Sequence, residues 1–91
     1  MFYAQIPNGW GVGDTPGAAL RNARFAVGMT AAQVRRAPHY VLEFPEGTDI
    51  QTNTVWGSYS YDHSPTALAV AQNLDARQLK ILTDMLEKAA A

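Results

Sequence analysis

Asp62, His63 and Ser64 stand in a row and supply the acid, base and nucleophile types of a hydrolase triad. His39 adds a second imidazole. Consecutive residues of an extended chain point to opposite sides, however, and no nucleophile elbow surrounds Ser64. Ser64 instead precedes Pro65, an order that suits a helix cap. A small hydrolase therefore stays only as an alternative. His39, His63 and Asp62 are also metal-ligating types, but the two histidines lie 24 positions apart. No ligand-spacing signature joins them, and isolated surface histidines are the expectation. Gly9, Gly11 and Gly13 precede a helix signal and invite a phosphate-loop reading, because helix N-terminal N–H groups attract anions. Asp14 sets a negative charge at that mouth, and neither a Walker lysine nor a dinucleotide fingerprint is present. Turn and bulge glycines are the expected explanation. No catalytic, cofactor or metal site is assigned.

Binding chemistry has better candidates. Arg21, Arg24, Arg35 and Arg36 are four of the chain's seven cations. Arg21 and Arg24 are neighbours on one helical face, suited to an acidic protein surface or a phosphate backbone, with a solvated face as the plainer reading. Trp56, Tyr59 and Tyr61 sit on a polar strand-forming stretch and offer large contact areas with polar handles. Core packing competes for Trp56, while the tyrosines are expected to be exposed.

Composition narrows the classes further. Ninety-one residues make one domain, and 47% hydrophobic with 16% charged residues calls for a packed core rather than disorder. The absence of cysteine excludes disulfides, thiolate zinc sites and thiol nucleophiles. No stretch approaches the roughly 20 apolar residues of a membrane span, nor is a signal peptide visible, so a cytoplasmic location is expected. Net charge is only −1, which argues against nucleic acid as a partner. It is unevenly spread. Residues 1–42 carry four arginines against Asp14, a balance of +3, and residues 43–91 carry three cations against seven carboxylates, a balance of −4.

The elements that must position these groups read as a small α+β domain. Phe2–Ile6 and Trp10–Gly13 form a hairpin around a type I′ Asn8-Gly9 turn. Thr15 and Pro16 open a helix whose stripe is Ala19, Leu20, Ala23 and Val27, stopped at Gly28. Thr30 and Gln33 form a capping box for a short second helix ended by Pro38. His39–Phe44 is a strand. Residues 48–62 are β-rich and split near Gly57 into two strands, half exposed rather than central. Ser64-Pro65 predicts a short helix over Thr66–Gln72, although Leu68 and Val70 also alternate as a strand would. Asp75 caps a last helix to about Lys88, with Leu79, Leu82, Leu86 and Ala89 as its stripe, widened by Met85. That stripe is expected to be core, with homodimer packing second. The expected architecture is a mostly antiparallel sheet packed by two to four helices.

The run Asn8-Gly9-Trp10-Gly11-Val12-Gly13-Asp14-Thr15-Pro16, continued by Ala18-Ala19-Leu20-Arg21-Asn22-Ala23-Arg24, resembles the N-terminal part of HicB-type antitoxins. The likeness covers residues 2–25, about a quarter of the chain. It implies a partial RNase-H-like fold that binds a toxin protein, and it carries no toxin-contacting residue onto this chain. The strand that the family places between hairpin and helix has no counterpart here. The leading expectation is broader: a non-enzymatic interaction protein that binds and modulates or inhibits a macromolecular target, most naturally a protein. Small accessory proteins of phages and mobile elements directed at bacterial defence systems are the analogy; a HicB-like antitoxin is the alternative.

Overall fold

The computed structural model describes residues 1–52 and 59–90. Four antiparallel strands form the main sheet in the order β2-β1-β3-β6. They are β1 (Phe2–Ile6), β2 (Gly9–Gly13), β3 (His39–Glu43) and β6 (Ala67–Gln72). A separate two-stranded ribbon pairs β4 (Ile50–Thr52) with β5 (Tyr59–Tyr61). Helices α1 (Pro16–Val27) and α2 (Ala31–Arg36) pack on one face of the main sheet, and α3 (Ala76–Ala90) packs on the other.

The alternation of side chains along the central strands divides the core into two layers. Ala4, Ile6 and Val41 meet Ala19 and Ala23 of α1 and Val34 of α2. Tyr3, Tyr40, Leu42 and Phe44 meet Leu82 of α3, with Ile50, Tyr61, Met85 and Leu86 packed around them. Each fully buried aliphatic side chain of this kind contributes about 1.5–3 kcal/mol. The apolar stripe of α3 thus serves its own sheet, except that Leu79 stays 54% exposed. That position, expected in the core, falls past the edge of the contact. Ala89 lies outside the described residues at the side-chain level.

Local signals set the helix ends. Thr15 Oγ1 accepts from the Ala18 N–H at 3.0 Å, Pro16 occupies the first turn, and Gly28 closes α1 at φ 74°. Thr30 and Gln33 exchange both bonds of a capping box at α2. Asp75 and Gln78 make the same reciprocal pair at α3, at 2.8 and 3.1 Å.

Several expectations are corrected. The hairpin turn is Pro7-Asn8, because Ile6 pairs with Gly9. Proline fixes a negative φ, so only Asn8 (φ 62°) takes the left-handed position, as in a type II turn rather than type I′. Gly9, Gly11 and Gly13 are neither turn nor bulge residues, since β1 and β2 stay in continuous register. They are where α1 lies directly on the sheet. A Cβ at Gly13 would come within 2.8 Å of Ala18 Cβ, and one at Gly11 would overlap the Ala23 backbone nitrogen.

Residues 67–72 form a strand, not a helix. Thr66 donates through N and Oγ1 to the Glu43 carbonyl (2.6 and 3.0 Å), steering the chain into pairing with β3. One helical turn or two cannot repay nucleation, whereas a ready sheet edge can. Ser64 accordingly caps nothing helical. The strand carries one bulged residue, Ala69, because Val70 pairs with Val41 while Leu68 pairs with Leu42. His39, expected at the surface, is buried at the start of β3, with Nδ1 2.8 Å from the Ala37 carbonyl oxygen.

Gly17 differs from the β2 glycines. A Cβ there meets nothing within 4 Å, and its φ lies outside the left-handed region. Gly17→Ala should therefore stabilise the domain by about 0.5–1 kcal/mol through reduced unfolded-chain entropy. A thermal melt reads this directly; a lowered midpoint would refute the open environment.

Candidate interaction surface

The turn between α1 and α2 brings together residues that are distant in sequence. Gly17, Leu20, Arg21 and Arg24 follow the i, i+3, i+4, i+7 spacing of one helical face. Ala31, Val34 and Arg35 follow the same spacing on α2. These seven residues line an open groove of about 210 Å³ whose surface is mostly apolar, with three arginines among its lining residues. Arg36 is exposed on α2 but does not line the groove. Among the described residues none of the four arginines forms an ion pair. Arg24 is half-buried, and its guanidinium carbon sits 4.3 Å from the centre of the Phe25 ring.

Carboxylates gather elsewhere. Asp49 and Asp62 border a second concavity with Gln51 and Tyr61, next to the β4–β5 ribbon. On α3 the Lys80 ammonium donates to Asp84 at 2.9 Å, a hydrogen bond that raises its pKa. The imbalance read along the sequence is thus kept in space: the α1–α2 layer is basic, and the α3 and ribbon layer holds most of the acids. Such separation orients an approaching charged partner.

No family model, curated protein or solved structure matches this chain. The surface must therefore be weighed on its own chemistry. The aromatic candidates fare differently from the arginines. Trp56 and the side chain of Tyr59 lie outside the described residues, as does Gly57. Tyr61, expected to be exposed, is half-buried, with its ring 5.3 Å from that of Phe44. Its β5 position faces the α3 layer of the core, so it serves packing more than contact.

His63 and Asp62 approach to 3.7 Å, but both are exposed and Asp62 Oδ1 accepts from the Asp49 N–H. Asp62 thus orders the ribbon. His39 belongs to the buried start of β3, so the two histidines occupy different environments. Among the described residues no three His, Asp or Glu side chains form a metal-ligand group. No described helix is long and apolar enough to cross a membrane.

Two exposed aromatics were not foreseen. Phe25 is 62% exposed, and Trp10 borders a pocket with Asn8, Gly9, Ala26 and Val27 while stacking on Tyr3 at 5.9 Å. Phe25 falls off the Ala19-Ala23-Val27 stripe, and that offset was the available sign of its exposure.

Proposed function

We propose that this chain is a non-enzymatic interaction protein that binds and modulates a macromolecular target through the α1–α2 face. The target is a protein with an acidic surface. The observation that carries the reading is the convergence of Arg21, Arg24 and Arg35 on one groove without an ion-pair partner among the described residues. Guanidinium groups are over-represented at binding surfaces, where planar donors meet carboxylates in pairs. The mostly apolar lining speaks against a purely phosphate-directed surface, as does the net charge of −1.

The test is affinity capture with the wild-type chain and with Arg21→Ala/Arg24→Ala/Arg35→Ala, both checked for folding by circular dichroism. An acidic protein should be retained by the wild type, and its affinity for the purified triple variant should fall roughly 100-fold, about 2.7 kcal/mol. Equal retention by both proteins, or retention of nucleic acid alone, would sink the reading.

The hairpin and helix of residues 2–27 favour a second reading, since the segment that resembles HicB-type antitoxins forms a hairpin leading into a helix, although the further strand which that family sets between them is missing. The target would then be a toxin protein. Co-expression with the product of an adjacent gene decides it: rescue of growth supports an antitoxin, and unaltered growth arrest removes it.

A further inference from the structure

We propose that the groove beside Gly17 seats one apolar side chain of an acidic partner segment, and that Gly17 keeps this seat open. The inference rests on the arginine-face reading and adds what the partner must look like. Gly17 is the residue of α1 that the fold itself does not require to be glycine. A Cβ there would touch nothing within 4 Å, and the residue is not held at positive φ. Gly17 lines the same groove as Ala31 and Val34, and its missing side chain leaves the groove open there.

The groove has the size and lining for such an anchor. Its volume of about 210 Å³ exceeds the ~150 Å³ of an apolar cavity that holds benzene. Leu20, Ala31 and Val34 line it with apolar groups, and Arg21, Arg24 and Arg35 border it as well. Charge complementarity selects the occupant: carboxylates beside the anchor meet the guanidinium groups while the anchor leaves water. A nucleic-acid backbone would meet the guanidinium groups but supply nothing apolar for the apolar lining.

The test uses the full chain and a short fluorescent peptide of aspartate and glutamate with one central phenylalanine, compared with the same peptide carrying alanine. An oligonucleotide of equal charge serves as the third probe. Wild-type protein should bind the phenylalanine peptide about tenfold more tightly than the alanine peptide. Gly17→Leu, which fills the seat, should erase that preference while still binding both peptides and melting no lower than wild type. Gly17→Ala should reduce the preference in part, which guards against a folding defect in the larger variant. Equal binding of both peptides to wild type, a preference unchanged in Gly17→Leu, or tighter binding of the oligonucleotide would overturn the proposal. If binding of both peptides is arginine-dependent but indifferent to phenylalanine, the seat fails and the arginine-face reading stands. If neither peptide binds, the seat fails and the acidic-partner reading loses its support as well.

Discussion

Gly11→Val should destabilise the domain by at least about 3 kcal/mol, and Gly11→Ala by about 1–3 kcal/mol, the range for overpacking a tight core. A Cβ at Gly11 would sit 2.8 Å from the Ala19 carbonyl oxygen and 2.9 Å from Ala23 Cα, and nearer still to the Ala23 nitrogen. All three are backbone atoms of α1, so no rotamer change relieves the overlap. The helix would have to lift from β2 along its length, parting Ala19 and Ala23 from Ala4 and Ile6. A domain of this size has a total stability of about 5–15 kcal/mol, so the valine variant would lose a large fraction of it. Each kcal/mol corresponds to about 4–8 °C of melting temperature. Thermal unfolding followed by circular dichroism measures the effect. A Gly11→Ala midpoint within error of wild type would show that α1 does not rest on the strand as described.

Gln5→Leu is expected to cost about 2–4 kcal/mol, although it replaces a buried polar side chain by an apolar one of similar size. Gln5 is fully buried in the middle of the sheet. Its Oε1 accepts from the Tyr3 hydroxyl at 2.6 Å, and its Nε2 donates to the carbonyls of Ile6 and Gly9 at 2.9 and 3.0 Å. The side chain therefore ties the end of β1 to the start of β2 across the Pro7-Asn8 turn. Leucine would remove the donor to both carbonyls and the acceptor of the Tyr3 hydroxyl, three buried hydrogen bonds that contribute about 0.5–1.5 kcal/mol each. Denaturant unfolding would show a lower midpoint at unchanged slope. An unaltered midpoint would mean that water already serves these carbonyls.

What could be read from the sequence was what short-range chemistry decides. Thr15-Pro16, Thr30 with Gln33, and Gly28 mark helix ends because their bonds close within a few residues. The hairpin was legible, but its turn shifted by one residue, since Pro7 takes a position that Asn8 had seemed to own. The strand at Ala67–Gln72 showed only in the alternation of Leu68 and Val70, because its partner lies some thirty residues earlier and local caps favoured a helix. The spacing of Gly9, Gly11 and Gly13 was visible, while its cause, the close approach of α1, was not. At the candidate site Arg21 and Arg24 were paired by helical spacing alone. Arg35 joins them only because the chain reverses between α1 and α2, and Arg36, one position on, does not line the groove.

The extra residue at Ala69 has a bearing on how the chain can vary in length. Leu68 and Val70 are two positions apart, and ordinary alternation would put them on one side. Opposite Leu42 and Val41, they instead face different sides of the sheet, Val70 against the α1 layer and Leu68 exposed on the other side. Deleting Ala69 would set Leu68 directly beside Val70 and return the strand to plain alternation, with Leu68 still opposite Leu42. This margin of the sheet can therefore lose that one residue without changing which side its neighbours face, whereas a one-residue deletion in β1, whose register is continuous, would turn the residues beyond it.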